Sequence, residues 1–126
     1  VEWNAGYGDP RVNAVVAIDP GLIWGMGEVE TANLVSDVSL VSLGKSDNRL
    51  LATNFDLAGL PAAIPQADVT SISSGTHFSM LPVCTPHGAA ILAEENDDPV
   101  CTDPEGVDRA AIHTTVLSVI SNKLGL

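Results

Sequence analysis

Apolar positions along the chain fall into three short runs and two longer periodic stretches. Val12-Asn-Ala-Val-Val-Ala-Ile18 is almost continuously apolar, with a β-branched bias, and stops at Asp19-Pro20-Gly21. A run of that kind fits a strand buried on both faces of a parallel sheet. Val38-Ser-Leu-Val-Ser-Leu43 predicts a second strand stopped by Gly44, and Val69 to Ser73 a third that ends before Gly75. Residues 21–34, with Trp24, Met26 and several glycines, read as an irregular loop or a short helical turn. Leu50, Leu51, Phe55, Leu57, Leu60 and Ile64 recur at roughly helical spacing, predicting a helix from Asn48 to Ile64 that Gly59 and Pro61 break near its end. Ile112, Val116, Val119, Ile120 and Leu124 predict a terminal amphipathic helix over about 107–124, with Lys123 in its last turn and Gly125 just beyond. Between them, residues 81–106 are dense in Pro, Asp, Glu and Gly and read as one long loop, a length that is functional or stapled when it occurs inside a compact domain.

The order strand, loop, strand, helix, strand, long loop, helix predicts an α/β fold with about three parallel strands and flanking helices. Parallel strands need cover on both faces, and two helices are too few to cover three strands and protect both sheet edges. The expectation is therefore that residues 1–126 form the C-terminal portion of a single domain, completed by a missing N-terminal segment or a partner chain. The Gly-rich opening from Trp3 to Pro10 has neither a basic start followed by an apolar stretch nor an initial Met, so the chain reads as processed or truncated. There is no internal repeat and no low-complexity tract.

The charge balance narrows the function mainly by exclusion. Five basic residues face sixteen acidic ones, a formal charge of -11. Such a surface repels nucleic acid, and the simplest role for it is solubility. No segment is apolar for long enough to span a membrane. The two cysteines, Cys84 and Cys101, lie in the polar long loop, where core packing does not explain them, and a bridge between them would constrain the chain by about 3 kcal/mol on the loop-closure estimate. Such a bridge points to a periplasmic or secreted protein.

Ligands of open α/β sheets bind at the carboxyl ends of the strands. Three chemically capable residues fall there: Asp19 after the first strand, Asp47 after the second and His77 after the third. A carboxylate bonded to one imidazole nitrogen fixes the tautomer and leaves the other nitrogen to take a proton from a nucleophile. The Gly-x-Ser-x-Gly nucleophile elbow is absent, since Ser73-Ser74-Gly75 lacks the first glycine and runs directly into His77. His113 reads as a surface or packing residue of the terminal helix. Cys84 and His87 supply only two of the three or four ligands a zinc site needs, so neither a metal nor another cofactor is expected. Trp24, Met26, Phe78, Met80 and Leu81 flank the rim and are candidates for an apolar acyl pocket.

The segments Asp9-Pro-Arg-Val-Asn-Ala-Val-Val-Ala-Ile-Asp19-Pro-Gly, Leu43-Gly-Lys-Ser-Asp47 and Gly75-Thr-His77-Phe-Ser-Met-Leu-Pro together resemble the C-terminal half of an α/β-hydrolase. The branch they resemble is the dienelactone-hydrolase-like and platelet-activating-factor-acetylhydrolase-like one, and the likeness spans nearly the whole chain. It implies His77 as catalytic base. For the acid, it implies Asp47 if the common position after the penultimate strand is used, and Asp19 if the acid sits one strand earlier, as in acetylhydrolase-like members; Asp47 is the first choice. The resemblance implies a serine ester hydrolase whose nucleophile and oxyanion hole lie upstream of Val1 or on a companion chain, acting on a small ester. The alternative is a non-catalytic hydrolase-fold subunit that uses the rim only to bind a ligand or partner.

Overall fold

A computed structural model describes residues 9–34 and 37–126; the glycine-rich opening up to Gly8 and residues 35–36 lie outside the described residues. Three strands form one sheet in the order β1-β2-β3: β1 (Ala14–Ile18), β2 (Asp37–Leu43) and β3 (Asp68–Ile72). Both pairings are parallel, with Ile18 opposite Val41 and Leu43 opposite Ile72. The three predicted strands and their parallel arrangement are thus present. The short helices are α1 (Glu28–Thr31) and α2 (Leu60–Ala63), and the longer ones α3 (Pro86–Glu95) and α4 (Arg109–Leu124).

The central strand divides the core. Because successive side chains of a strand point to opposite faces, Val38 and Leu40 pack on one side with Ile23, Phe55, Leu60 and Ile64, contributed by the two crossover segments. Val41 and Leu43 pack on the other with Ile112 and Val116 of α4. Full burial of each such side chain is worth about 1.5–3 kcal/mol. The continuous burial predicted for β1 belongs instead to β2: β1 has one strand neighbour among the described residues and its five residues are all half-buried.

Two further expectations are corrected. The helix expected from Asn48 to Ile64 is a single 3-10 turn (Leu51–Thr53), a run of turns, and the four residues of α2, because Gly59 adopts a left-handed φ of 77° and Pro61 removes a backbone donor. The long loop 81–106 is not continuous: Thr85 caps α3 by accepting from Gly88 N, Pro86 occupies its first turn, and Asn96 ends it in a left-handed conformation. Thr-Pro at a helix start is a legible signal, hidden here by the surrounding Pro, Gly and acidic residues. The terminal helix forms as predicted, capped by Asp108, which accepts from Ala110 N and Ala111 N, and closed by Gly125. Lys123 near its end donates to Asp37 and Asp68, at the starts of β2 and β3, and so ties the helix to the amino edge of the sheet.

Cys84 and Cys101 form a disulfide with a Cα separation of 5.6 Å. Cys84 is therefore not a thiolate partner for His87, and among the described residues no group of three or more His, Cys, Asp or Glu is gathered to hold a metal ion.

Candidate active site

Parallel pairing brings the carboxyl ends of all three strands to one rim, and the ladder continues past them. Asp19 N donates to Val41 O at 2.7 Å, and Gly44 N donates to Ile72 O at 3.0 Å. Gly44 has a φ of 92°, and a Cβ there would stand 3.1 Å from the Gly75 carbonyl. Glycine thus lets the turn after β2 run close against the turn that precedes His77.

Asp19 is the centre of the rim. It is 2% exposed and adopts a left-handed φ of 44°, a conformation Asp tolerates better than most residues. Its Oδ1 accepts from Leu43 N at 3.1 Å and from Arg49 Nη2 at 2.9 Å, and its Oδ2 lies 2.8 Å from His77 Nδ1. An ionised carboxylate only accepts hydrogen bonds, so this contact places the proton on Nδ1 and leaves Nε2 of the neutral ring as the basic nitrogen. Among the described residues, Nε2 makes no hydrogen bond. His77 is itself partly exposed, with the ring of Phe78 set edge-on to it at 5.6 Å.

The two candidate acids therefore exchange places. Asp19, the second choice, pairs with the imidazole, whereas Asp47 is exposed in the turn after β2 and makes no hydrogen bond to His77. The reason is geometric. Asp19 directly follows a strand that ends beside β2, while Asp47 stands beyond the Gly44 turn, which carries the chain out toward solvent.

Arg49 is the residue the sequence did not single out here. Its side chain is almost completely buried, bonded through Nη2 to Asp19 and the Thr53 carbonyl, and through Nη1 to Asp56 at 2.8 Å. Its guanidinium stacks 4.5 Å above the Phe55 ring. The available signal was scarcity: with five cations against sixteen acids, an arginine in the segment that follows β2 is well placed to pair with a buried carboxylate.

A cleft of about 330 Å³ opens beside the pair, lined by Ile18, Leu43, Phe78, Met80 and Leu81 around Asp19 and His77. A second, of about 170 Å³, shares Leu43, His77 and Phe78 with it and includes Arg49, Thr76, Pro99 and Thr102. Of the five predicted pocket residues, Phe78, Met80 and Leu81 line the first cleft, whereas Trp24 and Met26 are exposed and line neither. A wider depression of about 370 Å³ sits at the opposite, amino edge of the sheet around Asp37, Asp68 and Lys123, away from the imidazole.

The turn that carries His77 is anchored from below. His77–Met80 is one turn of 3-10 helix begun by Thr76, whose N–H donates to Ser79 Oγ at 2.8 Å. Ser79 is fully buried and donates to Asp103 Oδ1 at 2.7 Å, while Asp103 Oδ2 accepts from Arg109 Nε at 2.7 Å. Burial alone would raise the Asp103 carboxyl, but the hydrogen bonds from Arg109 and Ser79, with the charges of Arg109 and His113, outweigh it and hold the group below the usual carboxylate range. His113 Nε2 lies 2.8 Å from the Ser79 carbonyl, which makes it a buttress of this turn as well as a packing residue.

No family model, no curated protein and no solved structure matches this chain. What the arrangement can do rests on its own chemistry: an oriented imidazole with one uncommitted basic nitrogen, beside an apolar cleft, at the ligand-binding edge of a parallel sheet.

Proposed function

We propose that the chain supplies the base and the acid of a carboxylic-ester hydrolase, with His77 as general base and Asp19 as its orienting partner. One observation carries the reading: the 2.8 Å contact between His77 Nδ1 and the buried Asp19 carboxylate, which presets the tautomer a general base needs. Among the described residues no hydroxyl or thiol is hydrogen-bonded to His77; in this reading the nucleophile is a serine on a separate or missing segment. As that serine attacks the ester carbonyl, Nε2 takes its proton, and Asp19 stabilises the imidazolium that forms. The proton then passes to the departing alcohol, and a water activated by the same nitrogen cleaves the acyl-enzyme. The oxyanion donors come with the nucleophile, and Phe78, Met80 and Leu81 receive the apolar acyl group. The fold that this chemistry implies is an α/β-hydrolase of which residues 1–126 form the C-terminal part.

The Cys84–Cys101 bridge supports action in an oxidising compartment, either periplasmic or secreted. No helix among the described residues is long and apolar enough to cross a membrane.

The test uses the native material, with any polypeptide that copurifies, and a small activated ester. The expected result is hydrolysis that falls by about four orders of magnitude in kcat on His77→Ala, and by a comparable factor on Asp19→Asn, with Asp47→Asn near the parent rate. One feature favours a second reading, a binding module on the same architecture: Arg49 already neutralises Asp19, which weakens its help to an imidazolium. Native material without His77-dependent hydrolysis decides for that module. Isolated chain that hydrolyses the ester at a His77-dependent rate refutes the external nucleophile.

A further inference from the structure

Resting on the reading of His77 as the base, we propose that Ser79 and Asp103 are positioning residues: through the Thr76 amide they fix the turn that sets the His77 imidazole against Asp19. His77 has no side-chain bond besides that to Asp19 among the described residues, so the angle at which its ring meets the carboxylate is set by the backbone that carries it. That backbone is a single 3-10 turn, too short to hold its own shape. Gly75, just before it, adds no side chain to stiffen the entry, and a Cβ there would stand 3.2 Å from Ile112 Cδ1.

The stiffness comes from below. Ser79 Oγ accepts from Thr76 N and gives its own proton to Asp103, so one buried hydroxyl closes the turn and tethers it at once. Asp103 is held in turn by Arg109, which is 6% exposed and spreads its remaining donors over the Pro82 and Val100 carbonyls. Those carbonyls flank the two half-cystines, so the same guanidinium grips both ends of the disulfide-closed segment. Ser79 Oγ also lies 3.3 Å from Thr76 Oγ1, so its polar contacts are made inside the protein, as a buried polar network requires if it is to specify one geometry. None of these groups lines the cleft that holds His77 and Asp19, so their action on the site runs through the turn.

The measurement is the ¹⁵N and ¹H spectrum of the histidine rings in labelled chain, prepared with any polypeptide that accompanies it. The parent is expected to show His77 predominantly as the Nδ1–H tautomer, with a downfield Nδ1 proton bonded to Asp19. Ser79→Ala and Asp103→Ala should lose that proton signal and the tautomer excess while circular dichroism remains that of a folded chain. Lys123→Ala, which breaks the clamp at the opposite edge of the sheet, should keep both. Ser79→Cys, nearly the same size but a weak donor and acceptor, serves where the alanine variants do not fold and should show a partial loss. A folded Ser79→Ala or Ser79→Cys chain with the parent's His77 spectrum overturns the proposal. The spectrum does not depend on turnover: a network that controls the imidazole in material without esterase activity leaves the positioning role intact and removes only the hydrolase reading.

Discussion

At the scale of single residues, the site is governed by how a few charges share a buried space. Asp19 meets three donors, and one of them, Arg49, is buried with it. Removing one member of a buried pair strands the other, at a cost of about 3–5 kcal/mol, whereas replacing both by apolar groups of similar shape is often neutral. Asp19→Ala is therefore expected to destabilise the chain by about that amount in urea unfolding, because the half-exposed Asp56 is then the one carboxylate left to Arg49 among the described residues. Asp19→Leu combined with Arg49→Met should recover most of the loss. A double variant as unstable as the single one would show that the pair stabilises in its own right. The residue types of the site, an acid and a histidine at strand ends, were readable in the sequence. Which acid was not, since Asp19 and Asp47 both follow strands and differ only in how the next turn directs the chain.

At the scale of elements, stability is unevenly distributed. Helix α4 buries Ile112 and Val116 against the sheet and is capped at both ends. Helix α3 has no buried residue and lies within the segment closed by Cys84 and Cys101, so its caps and the bridge hold it in place of a core contact. Reduction by a thiol is expected to cost about 3 kcal/mol of global stability. It should also remove hydrogen-exchange protection from the α3 amides before those of α4. Protection in α3 that survives reduction unchanged would mean that packing, not the bridge, orders this helix. The difference between the helices was half-legible: α4 repeats Ile112, Val116, Val119 and Ile120 at helical spacing, while α3 is short, alanine-rich and embedded in turn-forming residues that mask its caps. The mid-chain helix failed for the opposite reason. Leu60, Ile64 and Phe55 do reach the core, but from the four-residue α2 and the residues on either side of it, where apolar spacing imitates a longer helix that Gly59 and Pro61 interrupt.

At the scale of the whole molecule, the excess of acid sets the response to pH. The Asp103 carboxyl lies below its ordinary range in the folded chain, so the stability it contributes is complete above the unfolded value of about 3.8 and is lost as pH falls through the lower folded value. Lys123 is shifted the other way, raised chiefly by its hydrogen bonds to Asp37 and then Asp68, so its contribution is present below about 10.5 and disappears as pH rises beyond that. Acid unfolding followed by tryptophan fluorescence is therefore expected to be less steep in Asp103→Asn than in the parent below about pH 4. Equal steepness would remove Asp103 from the account. Three parallel strands, a capped terminal helix, the acidic surface and the histidine at a strand end were all readable from the chain, because each follows from local period, turn chemistry or composition. That Asp19 faces His77, that Arg49 shares its carboxylate, and that Ser79, Asp103 and Arg109 support the turn beneath follows from long-range packing. Those contacts join residues that the chain brings together only when β1, β2, β3 and α4 pack, and no local pattern encodes which buried charge will meet which.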